Sequence, residues 1–210
     1  LKLWQQNLDK GLGNQHELLQ RMGSGEYQFV ALQEPYIDFR DKTRANSHWS
    51  VVYPTGHGRK GARTTRAVTL VSTELPTGSW SQMDIDSSDI VVVEFRCAIG
   101  VVRIVNIYND GDHDENLVAL RNYMQRARLR PARGRVFYLW VGDFNRHSPM
   151  WDEFRNAHLF TAQAEDAVFM LLHLLGTYRM EMALLRDIPT LKAKGTGNFT
   201  RPDNVFCTSN

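Results

Sequence analysis

Hydrophobic residues alternate with polar ones, or gather in short apolar runs bounded by turn residues, over positions 1–6, 29–33, 49–53, 67–72, 90–95, 101–108, 136–141 and 205–208. Each stretch predicts a β-strand. Apolar residues recur at helical spacing over 15–22, 116–128 and 164–175, which predicts three helices, and Asp114 or Glu115 suits the electropositive first turn of the second. Strands outnumber helices and interleave with them. No repeat, low-complexity tract or Pro/Ser-rich linker divides the chain, and the polar, Gly-containing stretches 54–66 and 130–135 read as loops. The pattern therefore predicts one α/β domain over residues 1–210 with functional loops between its strands.

Composition narrows this further. With 210 residues, 42% of them hydrophobic, the chain is long enough for a sizeable core and short for two domains. Lys and Arg number 25 against 23 Asp and Glu, a net charge of +2, so a case for nucleic acid must rest on local patches. The cysteines, Cys97 and Cys207, are too far apart for a zinc knuckle and too few for a disulfide framework, which points to an intracellular, reducing compartment. No apolar run approaches the about 18–20 residues of a spanning helix, so no membrane partner is expected.

Three polar clusters each follow a predicted strand, where α/β proteins gather their binding groups. They are Gln6-Asn7-Leu8-Asp9, Gln33-Glu34-Pro35 and Gly142-Asp143-Phe144-Asn145. Singly, each has an ordinary structural explanation: Asn-x-Asp makes turns and helix caps, Glu before Pro ends a solvated loop, and Gly-Asp terminates a strand. Here all three occur in one chain and in this order, together with Asn106-Ile107-Tyr108-Asn109 and Thr200-Arg201-Pro202-Asp203-Asn204.

That ordered series resembles the motifs of the endonuclease/exonuclease/phosphatase superfamily, which includes exonuclease III-type and apurinic endonucleases and DNase I. The resemblance runs from residue 1 to residue 208. It implies a four-layer α/β sandwich of two mixed sheets flanked by helices, with one cleft at the strand ends for a divalent metal and a scissile phosphodiester. Asn7 matches the Asn of the first motif and Glu34 the metal-binding Glu, with Asp9 a neighbouring carboxylate. Tyr108 matches the phosphate-contacting Tyr, with Asn109 beside it as a candidate DNA contact. Asp143 and Asn145 match the Gly-Asp-x-Asn motif, whose Asp positions or activates water while the Asn supports the phosphate. Asp203 matches the Asp that orients a catalytic His. The residue types suit the chemistry, because Mg²⁺ takes oxygen ligands, often one or two carboxylates plus waters and substrate phosphate; Mn²⁺ is the alternative ion. Hydrolysis also needs an activated water and donors at the phosphoryl oxygens, which a carboxylate and amide or phenol groups supply.

The family places a Ser-Asp-His motif after the Asp203 equivalent, and this chain ends at Asn210 before it could occur. The expectation is a C-terminally truncated fold, open to being inactive, with an exposed sheet edge that lowers stability or promotes aggregation. Asp112-His113 spells a similar dipeptide but lies in an acidic loop expected at the surface, and His173 falls on the apolar stripe of a helix, where a packed imidazole is expected.

Gly142-Asp143-Phe144-Asn145-Arg146-His147-Ser148-Pro149-Met150-Trp151 is similar to the corresponding segment of LINE-type (non-LTR) retrotransposon endonucleases, as are Gln6-Asn7, Gln33-Glu34-Pro35 and Thr200-Arg201-Pro202-Asp203-Asn204-Val205-Phe206, the last in fungal elements. This implies nicking of duplex DNA inside the nucleus by a domain joined to a reverse transcriptase. His147 then becomes a candidate DNA contact, although a loop cap explains it equally, and Trp151 reads as packed beneath the loop. Two basic segments suit phosphate contact: Arg59, Lys60, Arg63 and Arg66, and Arg126, Arg128, Arg130, Arg133 and Arg135. A solvated face is the competing reading of both. Two functional rivals also remain open: an inactive remnant of such a domain, and a phosphatase of the same superfamily.

Overall fold

The computed structural model describes residues 1–23, 25–61, 63–129, 134–192, 195 and 197–208. Arg130 and Arg133 of the second basic segment lie outside them. In chain order the elements are β1 (Leu3–Asn7), α1 (Leu12–Arg21), β2 (Phe29–Gln33), β3 (Trp49–Val52), β4 (Ala67–Ser72), β5 (Trp80–Met83), β6 (Ile90–Cys97) and β7 (Gly100–Tyr108). There follow α2 (Glu115–Leu129), β8 (Val136–Asp143), a 3-10 helix (Phe154–Leu159), α3 (Ala162–Tyr178), β9 (Met180–Met182), β10 (Leu191–Lys192), β11 (Phe199–Thr200) and β12 (Asp203–Thr208).

Two mixed sheets face each other. The smaller has the order β1-β2-β4-β3, with β1 at its edge, and the larger runs β5-β6-β7-β8-β12-β9. Period-two alternation decides what each face buries. Phe29 and Ala31 from β2, Val91 and Val93 from β6, Val102 and Ile104 from β7 and Val141 from β8 point into the space between the sheets and form one apolar core there. Residues of opposite parity build the outer cores. Val30 and Leu32 meet Leu18 of α1 and Met22 just after it, while Val105, Ile107, Trp140 and Phe206 meet Leu117 and Leu120 of α2 and Leu171 and Leu174 of α3. The result is the expected four-layer sandwich, α1 on one side and α2 with α3 on the other. Among the described residues no helix is long and apolar enough to cross a membrane.

Every predicted strand and helix is present, with ends shifted by up to three residues; β8, for example, continues through Asp143. The unpredicted strands are β5, β9, β10 and β11. β5 reads Trp-Ser-Gln-Met, too polar and short to register as a strand, and is recruited by pairing Trp80 opposite Phe95 of β6. β9 has only three residues and takes its geometry from β12. One correction concerns His173: it sits on the exposed side of α3, its ring stacked with that of Phe169 rather than packed in the core.

Strand register places the polar residues that follow the core. β7 and β8 are parallel with Tyr108 opposite Asp143, and antiparallel β12 sets Asp203 opposite the same Asp143. Close approach of β7 to β8 depends on Gly142, whose φ of +139° lies where L side chains rarely go and where an added Cβ would strike the Ile107 carbonyl. Gly142→Ala is therefore expected to destabilise the protein by roughly 2–5 kcal/mol through strain and overpacking. Denaturant melts of the two proteins check this, and a change below about 1 kcal/mol would show that the strand pair adapts.

Candidate active site

The parity that carries Phe29, Ile104 and Val141 into the inter-sheet core also delivers Gln5, Asn7, Gln33, Asn106, Tyr108, Asp143 and Asp203 to one end of it. There the interior turns from apolar to polar. Buried Gln33 donates from Nε2 to Asn106 Oδ1 at 2.5 Å, and Asn106 Nδ2 donates to the Val68 carbonyl at 2.9 Å. Gln5 Nε2 donates both to Gln33 Oε1 at 2.5 Å and to Asp203 Oδ1 at 2.7 Å. Nearest the surface, Asn7 Nδ2 donates to Asp143 Oδ2 at 2.9 Å, while Asn7 Oδ1 accepts the Asp9 amide. The bonds from Gln33, Asn106, Gln5 and Asn7 cross between the sheets, so the two halves of the site share one set of bonds.

Electrostatics concentrate on Asp143. Burial, then the neighbouring Asp203 carboxylate and to a lesser degree Glu34, push its pKa up to about 7 against the pull of the Asn145 amide and Asn7. Asp203 is likewise raised by burial, with Thr190 and Gln5 opposing. Tyr108 is pushed up to about 12 by burial and by the Glu34 and Asp143 charges, so its phenol keeps its proton. Glu34 leaves β2 with φ +44°, its amide bonded to the Arg66 carbonyl and its carboxylate 3.2 Å from Lys10 Nζ. Beyond it, buried Gln15 of α1 anchors the next loop by accepting the Tyr36 amide and donating to Thr43. Asp9 is exposed, with φ +50°.

Among the described residues no three His, Cys, Asp or Glu side chains gather closely enough to form a metal cage. Mg²⁺ does not require one. The Asp203 and Glu34 carboxylates both raise the affinity of Asp143 for a proton. A divalent cation relieves that kind of crowding, and in this respect the donor set fits.

Two residues expected at the DNA surface are turned inward. Asn109 is fully buried, donating from Nδ2 to the Phe144 carbonyl at 3.0 Å while its amide bonds the Asp143 carbonyl, so it ties the loop after β7 to the loop after β8. Arg66 is mostly shielded, held between Asp89 and Asp110 with its side chain 19% exposed. Arg59, Lys60 and Arg63 are exposed as expected, with Arg59 paired to Asp86 and Arg63 near Glu115. Asn145, at φ +47°, donates to the Asn109 carbonyl at 2.8 Å. His147 is part-exposed with Nδ1 3.2 Å from Asp152, a fully buried carboxylate that also accepts the Arg201 amide. Asp112 and His113 are at the surface, and Trp151 is buried with its indole N–H on the Arg146 carbonyl.

Arg146 was not legible as a site residue. It is 3% exposed, and its guanidinium donates to the carbonyls of Asp110, Gly111, His113, Asn145 and Ala167 and to the Asp114 carboxylate. One buried cation thus fixes the loops after β7 and β8 to α3. Nothing in its neighbours distinguishes it in sequence from a surface arginine.

This geometry has counterparts. No protein-family model matches the sequence, and no curated protein does. Solved structures do: the endonuclease domain of TRAS1, a telomere-specific non-LTR retrotransposon, aligns with a TM-score of 0.70 at 21% identity, over 99% of this chain and 84% of that one. The chain has the exonuclease III/DNase I-like fold. The AP endonuclease LMAP from Leishmania major shares this fold with a TM-score of 0.70 at 12% identity, over 99% of this chain and 78% of that one. So does the 3′ phosphatase NExo from Neisseria, solved with product DNA hairpin, at 0.66 and 15%, over 99% and 86%. At these identities the likeness is one of fold.

Asp143 generates a pH prediction. Its folded pKa of about 7 lies above the ordinary carboxylate value of 3.8, so the folded state holds a proton that the unfolded chain gives up. The associated stability is complete below about pH 4 and is lost as pH rises through about 7. In EDTA, wild type should therefore lose more stability than Asp143→Asn between about pH 5 and pH 8 in parallel thermal melts. Equal losses would place the Asp143 titration elsewhere.

Proposed function

We propose that this chain is the DNA-nicking endonuclease domain of a retrotransposon-type protein, hydrolysing one phosphodiester of duplex DNA with Mg²⁺, or with Mn²⁺ in its place. The observation that carries the reading is the convergence of five residues at one end of the inter-sheet space: Tyr108, Asp143 and Asp203 in register on adjacent strands, Asn7 bonded to Asp143 from the other sheet, and the Glu34 charge close enough to act on Asp143 and Tyr108. The exonuclease III/DNase I-like fold supports it, as does the likeness to a retrotransposon endonuclease domain.

Glu34, with Asp9 beside it, would hold the cation, which when bound polarises a phosphoryl oxygen and offsets its developing charge. Asp143, with its pKa near neutral, is suited both to orient a water and to accept its proton. Asn7 fixes one Asp143 oxygen and the Asn145 amide the other, so the carboxylate needs little reorganisation when the water attacks. The Tyr108 phenol, kept protonated, and the Asn145 side-chain Nδ2, through the hydrogen it does not give to the Asn109 carbonyl, would serve as donors to the phosphoryl oxygens. Asp203 sustains the raised pKa of Asp143 while bonded to Gln5.

Exposed Arg59, Lys60 and Arg63 would track DNA phosphates and make binding salt-dependent, with His147 as a further contact. The reading extends to a single domain, a linked reverse transcriptase in the natural polypeptide, and work inside the nucleus, where duplex DNA lies.

Relaxation of supercoiled plasmid tests the reading. Nicking should require Mg²⁺, stop in EDTA and fall at least about 100-fold in Asp143→Ala. Undiminished nicking by Asp143→Ala would remove the assigned water-activating group. Turnover of small phosphoesters in preference to duplex DNA would favour a phosphatase, and no turnover of either would favour an inactive remnant.

A further inference from the structure

Arg66 stands apart from Arg59 and Arg63 because its side chain is mostly shielded, 19% exposed against 56% and 60%, and its charge is shared between two carboxylates. Its Nη1 lies 2.6 Å from Asp110 Oδ2, its Nη2 2.7 Å from Asp89 Oδ2, and its backbone amide donates to Asp89 Oδ1 at 2.8 Å. Burial lowers its pKa, yet the two carboxylates outweigh burial and leave it raised. Between these pairs the guanidinium lies over the Tyr108 ring, 4.6 Å from its centroid. The same residue's carbonyl accepts the Glu34 amide, and the Asp89 carbonyl accepts the Tyr108 amide. Arg66 therefore touches both sides of the cleft: the backbone turn that presents Glu34, and the face of the ring that presents the phenol. An arginine fork held by two carboxylates is a stiff plate, and a ring resting on such a plate by cation–π attraction has little freedom to tilt.

We propose that Arg66 is a positioning residue for Tyr108, setting the direction of the phenol toward the scissile phosphate, and makes no contact with DNA itself. The inference rests on the nuclease reading for its activity arm only. A phosphate-contacting arginine and a ring-positioning one differ in what they change. The first contributes to affinity and to its salt dependence for every sequence. The second leaves affinity intact and lowers the rate at saturating DNA, because a small misplacement of a donor costs far more in the transition state than in the ground state.

Wild type, Arg66→Lys, Arg66→Met and Asp110→Asn are compared in three ways: single-turnover cleavage at saturating duplex, duplex binding in EDTA across a salt series, and the Tyr108 ring resonances without DNA. Arg66→Met should slow cleavage about 100-fold with binding and its salt slope unchanged, and the Tyr108 ring resonances should move. Arg66→Lys, which keeps a cation over the ring but loses the fork, should fall between it and wild type. Asp110→Asn should lose less than Arg66→Met, because the Asp89 pair remains. If Arg66→Met does not fold, the lysine and asparagine variants carry the same comparison. A salt slope reduced by about one with the saturated rate unchanged would overturn the inference, as would unmoved ring resonances. A wild type that does not cleave would end the nuclease reading, while the ring resonances and salt slope would still decide the place of Arg66.

Discussion

The structure depends on a line of buried amides that joins its two sheets where the apolar core ends. Gln33 and Asn106 are fully enclosed, and each uses the other to satisfy groups that would otherwise cost about 1–3 kcal/mol apiece. Because these amides also reach Gln5 and, through it, Asp203, moving one sheet against the other would break bonds in a place where water cannot replace them. Apolar packing alone gives the sheets affinity for each other. The amides give them a register, and that register brings Asn7 of the small sheet to Asp143 of the large one.

From this constraint the character of the cleft follows. Carboxylates drawn out of water resist ionising, and more so beside one another. Burial and then the Asp203 charge accordingly draw Asp143 up to about 7, and burial raises Asp203 as well. The loops at the strand ends are secured by two inward-turned arginines used in different ways: Arg146 mainly by carbonyls, Arg66 by carboxylates and a ring. Asn109 adds a third tie between the loops after β7 and β8. Such ties hold donors in place before a substrate arrives, the condition under which fixed dipoles do most for a transition state.

Much of this was written in the chain. Short apolar runs over 29–33, 101–108 and 136–141 mark central strands, and the polar residues at their ends mark where the inner face stops being apolar. Gln5 shares the parity of Leu3 and Asn7 and belongs to the same signal, although its role needed the partner strands to become visible. Three kinds of feature lay beyond reach. Short strands such as β5 and β9 take their form from the neighbour they pair with, not from local preference. Arginines look alike in sequence, whether buried like Arg146, half-buried like Arg66 or exposed like Arg59, because burial follows from acceptors supplied by distant loops. Asn109, next to Tyr108, suits a DNA contact in the sequence but is buried, because one step of parity at a strand end decides between cleft and interior.

The claim that the amides set the register is tested most directly by a double-mutant cycle on Gln33 and Asn106, with each changed to Leu alone and together, read by denaturant unfolding. Each single change leaves the other amide buried without its partner, whereas the pair removes both. The account predicts that the double variant is less destabilised than the sum of the singles by about 1–3 kcal/mol. Additivity to within about 0.5 kcal/mol would contradict it, showing that the sheets hold their register without the bond between them.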